Sequence, residues 1–439
     1  MTQRGDHFVI IFDRAVAWGR RGKKMNMVDN DRISNSARRA RQRAIRARMA
    51  ETGETYAVAA RRHDERRDPR TRETGRPPEP IEWLVPARGV TYNVIAGGPD
   101  DGVPVLLVHG DGSSAGFWRP LIDRLPAGVR VVAPHLRGYG RSEAAPVDAT
   151  RGLRDFADDL AELLDDRDLF PRGGPVIVAA HAMGCGVVMQ MIADHPGRFT
   201  SALLESPLSP YGFGGTRDLD GTPTAEDFAG TGGGSAHPDF VSRIEAGDRS
   251  SDARTSPRSV LRSMFVADPA SLDDDEELLL EAMLGIAVGA GNYPGDSRPA
   301  NRWPFFGPGD GGVLNAMSPR HFNVADALVG AVPKPPIVWV RGDRDVIVSD
   351  TSLLDRAYLG SIGAIADWPG ADACPPQPMV GQTRAVLQRY AGNGGRYREV
   401  VYDNCGHSPH VERPAEFVAE LMKLVNDAAG DDGIRRRRR

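Results

Sequence analysis

The stretch Val176-Ile-Val-Ala-Ala-His-Ala-Met-Gly-Cys-Gly186 limits what this chain can become more than any other. A β-branched run enters a series of small residues and bends at His181-Ala182-Met183-Gly184. It then continues as the apolar helical stretch Val187 to Ile192. An apolar run this short reads as a strand buried on both faces, as parallel strands are. Small residues on both sides of the bend let strand and helix approach closely. A buried strand turning straight into a helix calls for an α/β fold.

The same rhythm runs along most of the chain. Ile81 to Val85 and Thr91 to Ile95 read as opening antiparallel strands. Val103 to His109, Val129 to Pro134, Ser201 to Glu205, Pro335 to Val340 and Arg398 to Tyr402 read as further strands. Helices are expected over Ala115 to Leu125 and on the faces Leu153–Phe156–Leu160–Leu163 and Phe417–Leu421–Leu424. From Ser206 to Pro333 the rhythm fails for longer than a bare connection allows. That part begins Gly-rich and predicts helices near Pro257 to Val266 and Glu276 to Val288. It ends with Tyr293, Trp303, Phe305 and Phe306.

Charge is distributed unevenly. Residues 1–80 hold 20 Lys+Arg against 11 Asp+Glu, whereas the remainder holds 35 against 48. The body is acidic and both ends are basic, Arg435 to Arg439 closing the chain. Arg61 to Pro80 has the charged, Pro-rich composition of a linker. No aromatic residues are interleaved with the arginines of Ser34 to Ala50, which argues against a nucleic-acid arm and for a solvated tail. Only Cys185, Cys374 and Cys405 are present, far apart and without a C-x-x-C pair. That pattern indicates neither a disulfide framework nor a zinc site, and it fits a reducing, cytoplasmic compartment. No apolar run approaches membrane-spanning length, so no membrane partner is expected.

Five motifs now carry a resemblance. The bend at Ala180-His-Ala-Met-Gly184 resembles the G-x-S-x-G elbow of the α/β-hydrolase superfamily, with Ala180 for the first Gly and Ala182 at the nucleophile position. His109-Gly110-Asp111-Gly112 resembles the H-G-x loop. Gly342-Asp-Arg-Asp345 resembles the loop that carries the acid, with Asp343 as the nearby rival. Gly406-His407-Ser-Pro-His410-Val-Glu412-Arg-Pro414 resembles the G-H-x-P-x-x-E-x-P loop that carries the base, and His410 reads as structural. His135-Leu-Arg-Gly-Tyr-Gly-Arg-Ser142 resembles a structural D-x-R-G-x-G-x-S motif, with His for Asp.

The resemblance implies an α/β-hydrolase fold: a mostly parallel eight-stranded sheet with helices on both faces. It implies a core over 81–206 and 334–430, a lid insertion over 207–333, a basic extension over 1–80 and a basic tail over 431–439. Ala182, Asp345 and His407 would occupy the triad positions, in the family's order. The backbone amides of Asp111 and Met183 would form the oxyanion hole. No metal or cofactor is implied.

The resemblance points to a hydrolase of a carboxylic ester or lactone. The lid aromatics Tyr293, Trp303, Phe305 and Phe306, with Met264 and Met283, are candidate contacts for an apolar substrate, a macrocyclic lactone such as zearalenone among them. They serve equally as the lid's own core. Trp368 and Cys374-Pro-Pro-Gln-Pro378 are candidates for a pocket wall or a subunit contact, and a homo-oligomer is allowed. Three readings of Ala182 compete: a silenced nucleophile, which leads, and, level with each other behind it, a natural binding protein on a hydrolase scaffold and a cofactor-free enzyme with His407 alone as base. An Asp nucleophile in the parent is disfavoured, because epoxide hydrolases generally place Pro just after H-G-x, where this chain has Gly112.

Overall fold

A computed structural model describes residues 80–272 and 274–437, with side chains up to residue 430. The basic extension assigned to residues 1–80 lies outside the described residues except for Pro80, as do the side chains of the basic tail.

The hairpin of β1 (Ile81–Ala87) and β2 (Val90–Gly97) begins the fold. Its two-residue turn has φ 48° at Arg88 and 74° at Gly89. Positive φ at both positions matches the twist of the flanking strands. β3 (Val103–Val108), β4 (Val129–Pro134), β5 (Val176–His181), β6 (Phe199–Glu205), β7 (Ile337–Gly342) and β8 (Tyr397–Tyr402) follow. The eight strands pair in the order β1-β2-β4-β3-β5-β6-β7-β8. β2 runs antiparallel to β1 and β4, and every other pairing is parallel. The loops after β3, β5, β7 and β8 therefore converge on one edge of the sheet, where α/β folds place their ligands.

Helices α1 (Arg154–Leu163) and α2 (Met183–Asp194) pack on one face. Leu106, Val108, Val178 and Ala180 point into that core. Val105, Leu107, Ile177 and Ala179 point the other way, against Trp118, Phe417 and Leu421. Burial on both faces is why these strands read as unbroken apolar runs.

Between β6 and β7 the chain folds as an insertion. It holds α3 (Pro238–Glu245), α4 (Glu276–Leu284) and two small strand pairs, one of them Ser297–Pro299 with Phe306–Pro308. After β7 come α5 (Met379–Gly392) and, past β8, α6 (Pro414–Arg437).

Three helix expectations need correction. Ala115 to Leu125 is a 3-10 turn, Ala115–Trp118, followed by the short helix Arg119–Ile122. Pro120 has no N–H to give and suits only a first turn, so the helix restarts there. Pro257 to Val266 is one α turn, Pro257–Val260, that widens into a π turn over Leu261–Phe265. The helix expected to reach Val288 stops at Leu284, before Gly285.

Candidate active site

Ala182 sits between β5 and α2 with φ 49° and ψ −115°. This backbone is unusual for a residue with a Cβ and costs about 1–3 kcal/mol. The surrounding strands fix it. Its amide donates to the Glu205 carbonyl at 2.9 Å, and its carbonyl accepts from the Leu208 amide at 3.1 Å. Crowding explains the neighbouring glycine: a Cβ on Gly184 would lie 2.5 Å from the His109 carbonyl oxygen. The elbow is therefore built complete, with a methyl group at its tip.

His407 follows β8 and Asp345 follows β7. His407 Nδ1 lies 2.9 Å from Asp345 Oδ2, and both side chains are buried. The other carboxylate oxygen accepts the Ile347 and Val348 amides at 2.8 and 3.0 Å. Two backbone donors fix the acid, so the acid fixes the imidazole. Asp343 is exposed and accepts only the Cys405 amide, at 3.2 Å.

The loop after β3 is held by His109. Its Nε2 accepts the Leu136 amide at 3.0 Å, so its Nδ1 donates to the Gly110 carbonyl at 2.8 Å. Burial lowers this histidine to about 4, and both ring nitrogens are committed in the neutral form. The Asp111 and Met183 amides make no hydrogen bond among the described residues. The Asp111 carboxylate accepts the Tyr139 hydroxyl at 2.7 Å, and burial pushes it up to about 6.

Asp111, Ala182, Met183 and His407 share one cavity of about 210 Å³. The insertion supplies the facing wall, including Phe240, Met264, Phe265 and Met317. The Phe265 ring meets the His407 ring edge-on, with centroids 5.8 Å apart. A larger groove of about 1000 Å³ lies at the opposite edge of the sheet and contains none of these groups. Volume alone points to that groove; the chemistry points to the smaller cavity.

Of the aromatic residues expected at the substrate, Tyr293 lines the cavity and Trp303, Phe305 and Phe306 do not. The strand pair around residues 297–308 turns them outward: Phe305 is 65% exposed, and Phe306 stacks on the Arg356 guanidinium. Met264 is at the wall, and Met283 is buried elsewhere in the core. Trp368 closes its own loop by donating to the Cys374 carbonyl at 2.9 Å, away from the cavity.

A second layer supports the base. His181 Nε2 lies 3.0 Å from the His407 carbonyl. Burial drives His181 well below the ordinary histidine value, so it donates as a neutral ring. Glu412, the motif glutamate, accepts the Gly406 amide on one oxygen and the Ala267 and Asp268 amides on the other, at 2.9 and 3.0 Å. Glu205, at the end of β6, holds His410. The sequence signal for Glu205 was a lone charge ending an apolar strand.

An elbow, an acid–base pair and two free amides meet at the carboxyl edge of this sheet. Residues 105–421 match the alpha/beta hydrolase family, and the chain belongs to that family. Among its relatives is the non-heme chloroperoxidase CPO-A1 of Kitasatospora aureofaciens, 35% identical over 28% of this chain and 43% of that protein. Another is a monoacylglycerol lipase of Mycolicibacterium smegmatis, 32% identical over 27% and 42%. The chain thus matches less than half the length of these curated relatives. Among solved structures, the esterase RhEst1 of Rhodococcus sp. ECU1013 aligns over 80% of this chain and 99% of that one, at 17% identity and a TM-score of 0.49. Among the described residues, no group of His, Cys, Asp and Glu is placed to hold a metal ion, and no helix is long and apolar enough to cross a membrane.

Proposed function

We propose that this chain binds a small apolar carboxylic ester or lactone in hydrolytic register and, with Ala182 in place, does not form an acyl-enzyme. The observation that supports this is the intact His407–Asp345 pair facing the same cavity as the Ala182 methyl and two unused amides. With a hydroxyl at position 182, His407 would take the hydroxyl proton as the oxygen attacks the acyl carbon. The Asp111 and Met183 amides would receive the oxyanion, and His407 would return the proton to the leaving group. Each such donor supplies about 2.7–4 kcal/mol in comparable sites. Water would then cleave the acyl-enzyme, His407 taking its proton and returning it to the oxygen at position 182.

A cavity of about 210 Å³ is smaller than the roughly 300–1,000 Å³ of pockets for drug-sized ligands. We therefore place small esters and lactones ahead of a macrocycle such as zearalenone. A cytoplasmic location belongs to the same reading, supported by three cysteines that remain free.

Ala182→Ser is the test. The variant should react with a fluorophosphonate at residue 182 and hydrolyse short p-nitrophenyl esters. A folded Ser variant that does neither overturns the proposal. The second reading, His407 as a base that activates water directly, is favoured by the same intact pair. It requires ester turnover by the unaltered chain, insensitive to fluorophosphonate and lost in His407→Ala.

A further inference from the structure

The cavity has a cation at the end away from the chemistry. Arg356 opens the short helix Arg356–Ser361 after β7. It lines the main cavity and also a satellite of about 30 Å³. The two share Phe213, Ser235, Leu314, Met317 and Leu354, but the satellite touches none of Asp111, Ala182, Met183 and His407. Arg356 therefore marks the end remote from the elbow.

Among the described residues its guanidinium has no carboxylate partner and no hydrogen-bond acceptor, and its Nε is buried without one. The adjacent Asp355 does not serve it: one oxygen accepts the Ala357 amide at 2.9 Å and the other the Gln377 amide at 2.7 Å. The guanidinium rests on the Phe306 ring, 5.1 Å from the centroid. Arg254, the other arginine at this wall, is already engaged. Arg258 on the insertion, by contrast, is paired with Glu276 and Glu277.

A half-buried guanidinium without a counter-ion is unfavourable unless something arrives to pair with it. Its planar fork matches a carboxylate. At the elbow end the one carboxylate of the lining, Asp111, is engaged by Tyr139 and offers a ligand carboxylate no cation. The cavity wall is thus mostly apolar, with Asp111 at the elbow end and Arg356 at the far end.

We propose that Arg356 is a specificity residue that receives the free carboxylate of a half-ester, the ester group lying at Ala182. This deepens the binding role argued above and rests on it. The ligand class is the mono-ester of a short dicarboxylic acid, or the hydroxy-acid lactone with a carboxylate at matching distance.

The test uses the full chain with Ala182 retained. Calorimetry measures binding of the monoethyl and diethyl esters of succinic, glutaric, adipic and pimelic acids. At least one monoester should bind roughly 10- to 100-fold tighter than its diester, the ratio expected of a charge-assisted pair. Arg356→Met keeps the apolar stem and should erase that ratio, monoester and diester then binding the variant alike. Arg356→Lys should restore part of it.

Equal affinity across every pair overturns the inference, as does a preference that survives Arg356→Met. Ala182→Ser separates this failure from that of the broader reading. Diester hydrolysis and fluorophosphonate labelling without monoester preference would remove only the role of Arg356. Absence of binding, hydrolysis and labelling would remove both.

Discussion

The Glu205 carboxylate holds His410 twice, accepting its backbone amide at 2.7 Å and its ring Nδ1 at 2.9 Å. Both side chains are buried, and the Trp118 ring lies 4.3 Å from the imidazole. The pair ties the end of β6, beside the elbow, to the loop that carries His407. Glu205→Ala strands two buried donors. Leaving a buried donor unsatisfied costs about 1–3 kcal/mol each. Urea unfolding should show a loss of that size, and an unchanged midpoint would refute the assignment.

In the Ala182→Ser background, Asp345→Asn should leave the fold intact and lower kcat by about 10⁴-fold. Losing the charge that orients the histidine has that size in serine triads. The carboxamide oxygen can still accept both the Ile347 and Val348 amides, so the melting temperature should move little. Steady-state kinetics on a p-nitrophenyl ester reads the first effect and a thermal scan the second.

Asp111 makes stability depend on pH. Burial raises its carboxyl to about 6 in the folded chain, against 3.8 ordinarily. Below pH 4 the carboxyl is neutral in both states and its contribution is fully present. As pH rises from 4 to 6 the unfolded chain ionises first, so stability falls, levelling off above 6. The total approaches about 3 kcal/mol at 1.36 kcal/mol per pKa unit. Asp111→Asn should flatten that slope when unfolding free energy is measured across the window. A variant that keeps it assigns the slope to another group.

Gly184→Ala should disturb the elbow rather than the wider fold. The added Cβ would meet the His109 and Val108 carbonyl oxygens at 2.5 and 2.7 Å. Neither can retreat without shifting β3, so a loss of about 1–3 kcal/mol is expected. In the Ala182→Ser background the same change should slow fluorophosphonate labelling, because it moves the Met183 amide. Unaltered stability and labelling would show that the strand yields freely.

What could be read from the residues divides along a physical line. Ala182, Asp345, His407 and the Asp111 loop each sit in a short local pattern with characteristic glycines. The chain order alone aligns them at the carboxyl ends of parallel strands. Arg356 carries no such pattern; it follows an Asp N-cap on a six-residue helix, and only the packed insertion makes it part of a cavity. Trp303, Phe305 and Phe306 failed for the complementary reason. Aromatic composition marks burial or contact, but the strand pair that holds them decides which way they face. Helix α5 went unassigned because its apolar residues are interrupted by Gln382 and Thr383, which are buried and hydrogen-bonded inside the fold.

The Glu412 carboxylate accepts amides from two sides, Gly406 of the base loop and Ala267 and Asp268 of the insertion. One side chain thus couples the insertion to the loop that carries the imidazole, and a shift of either segment at that flank is felt by the other.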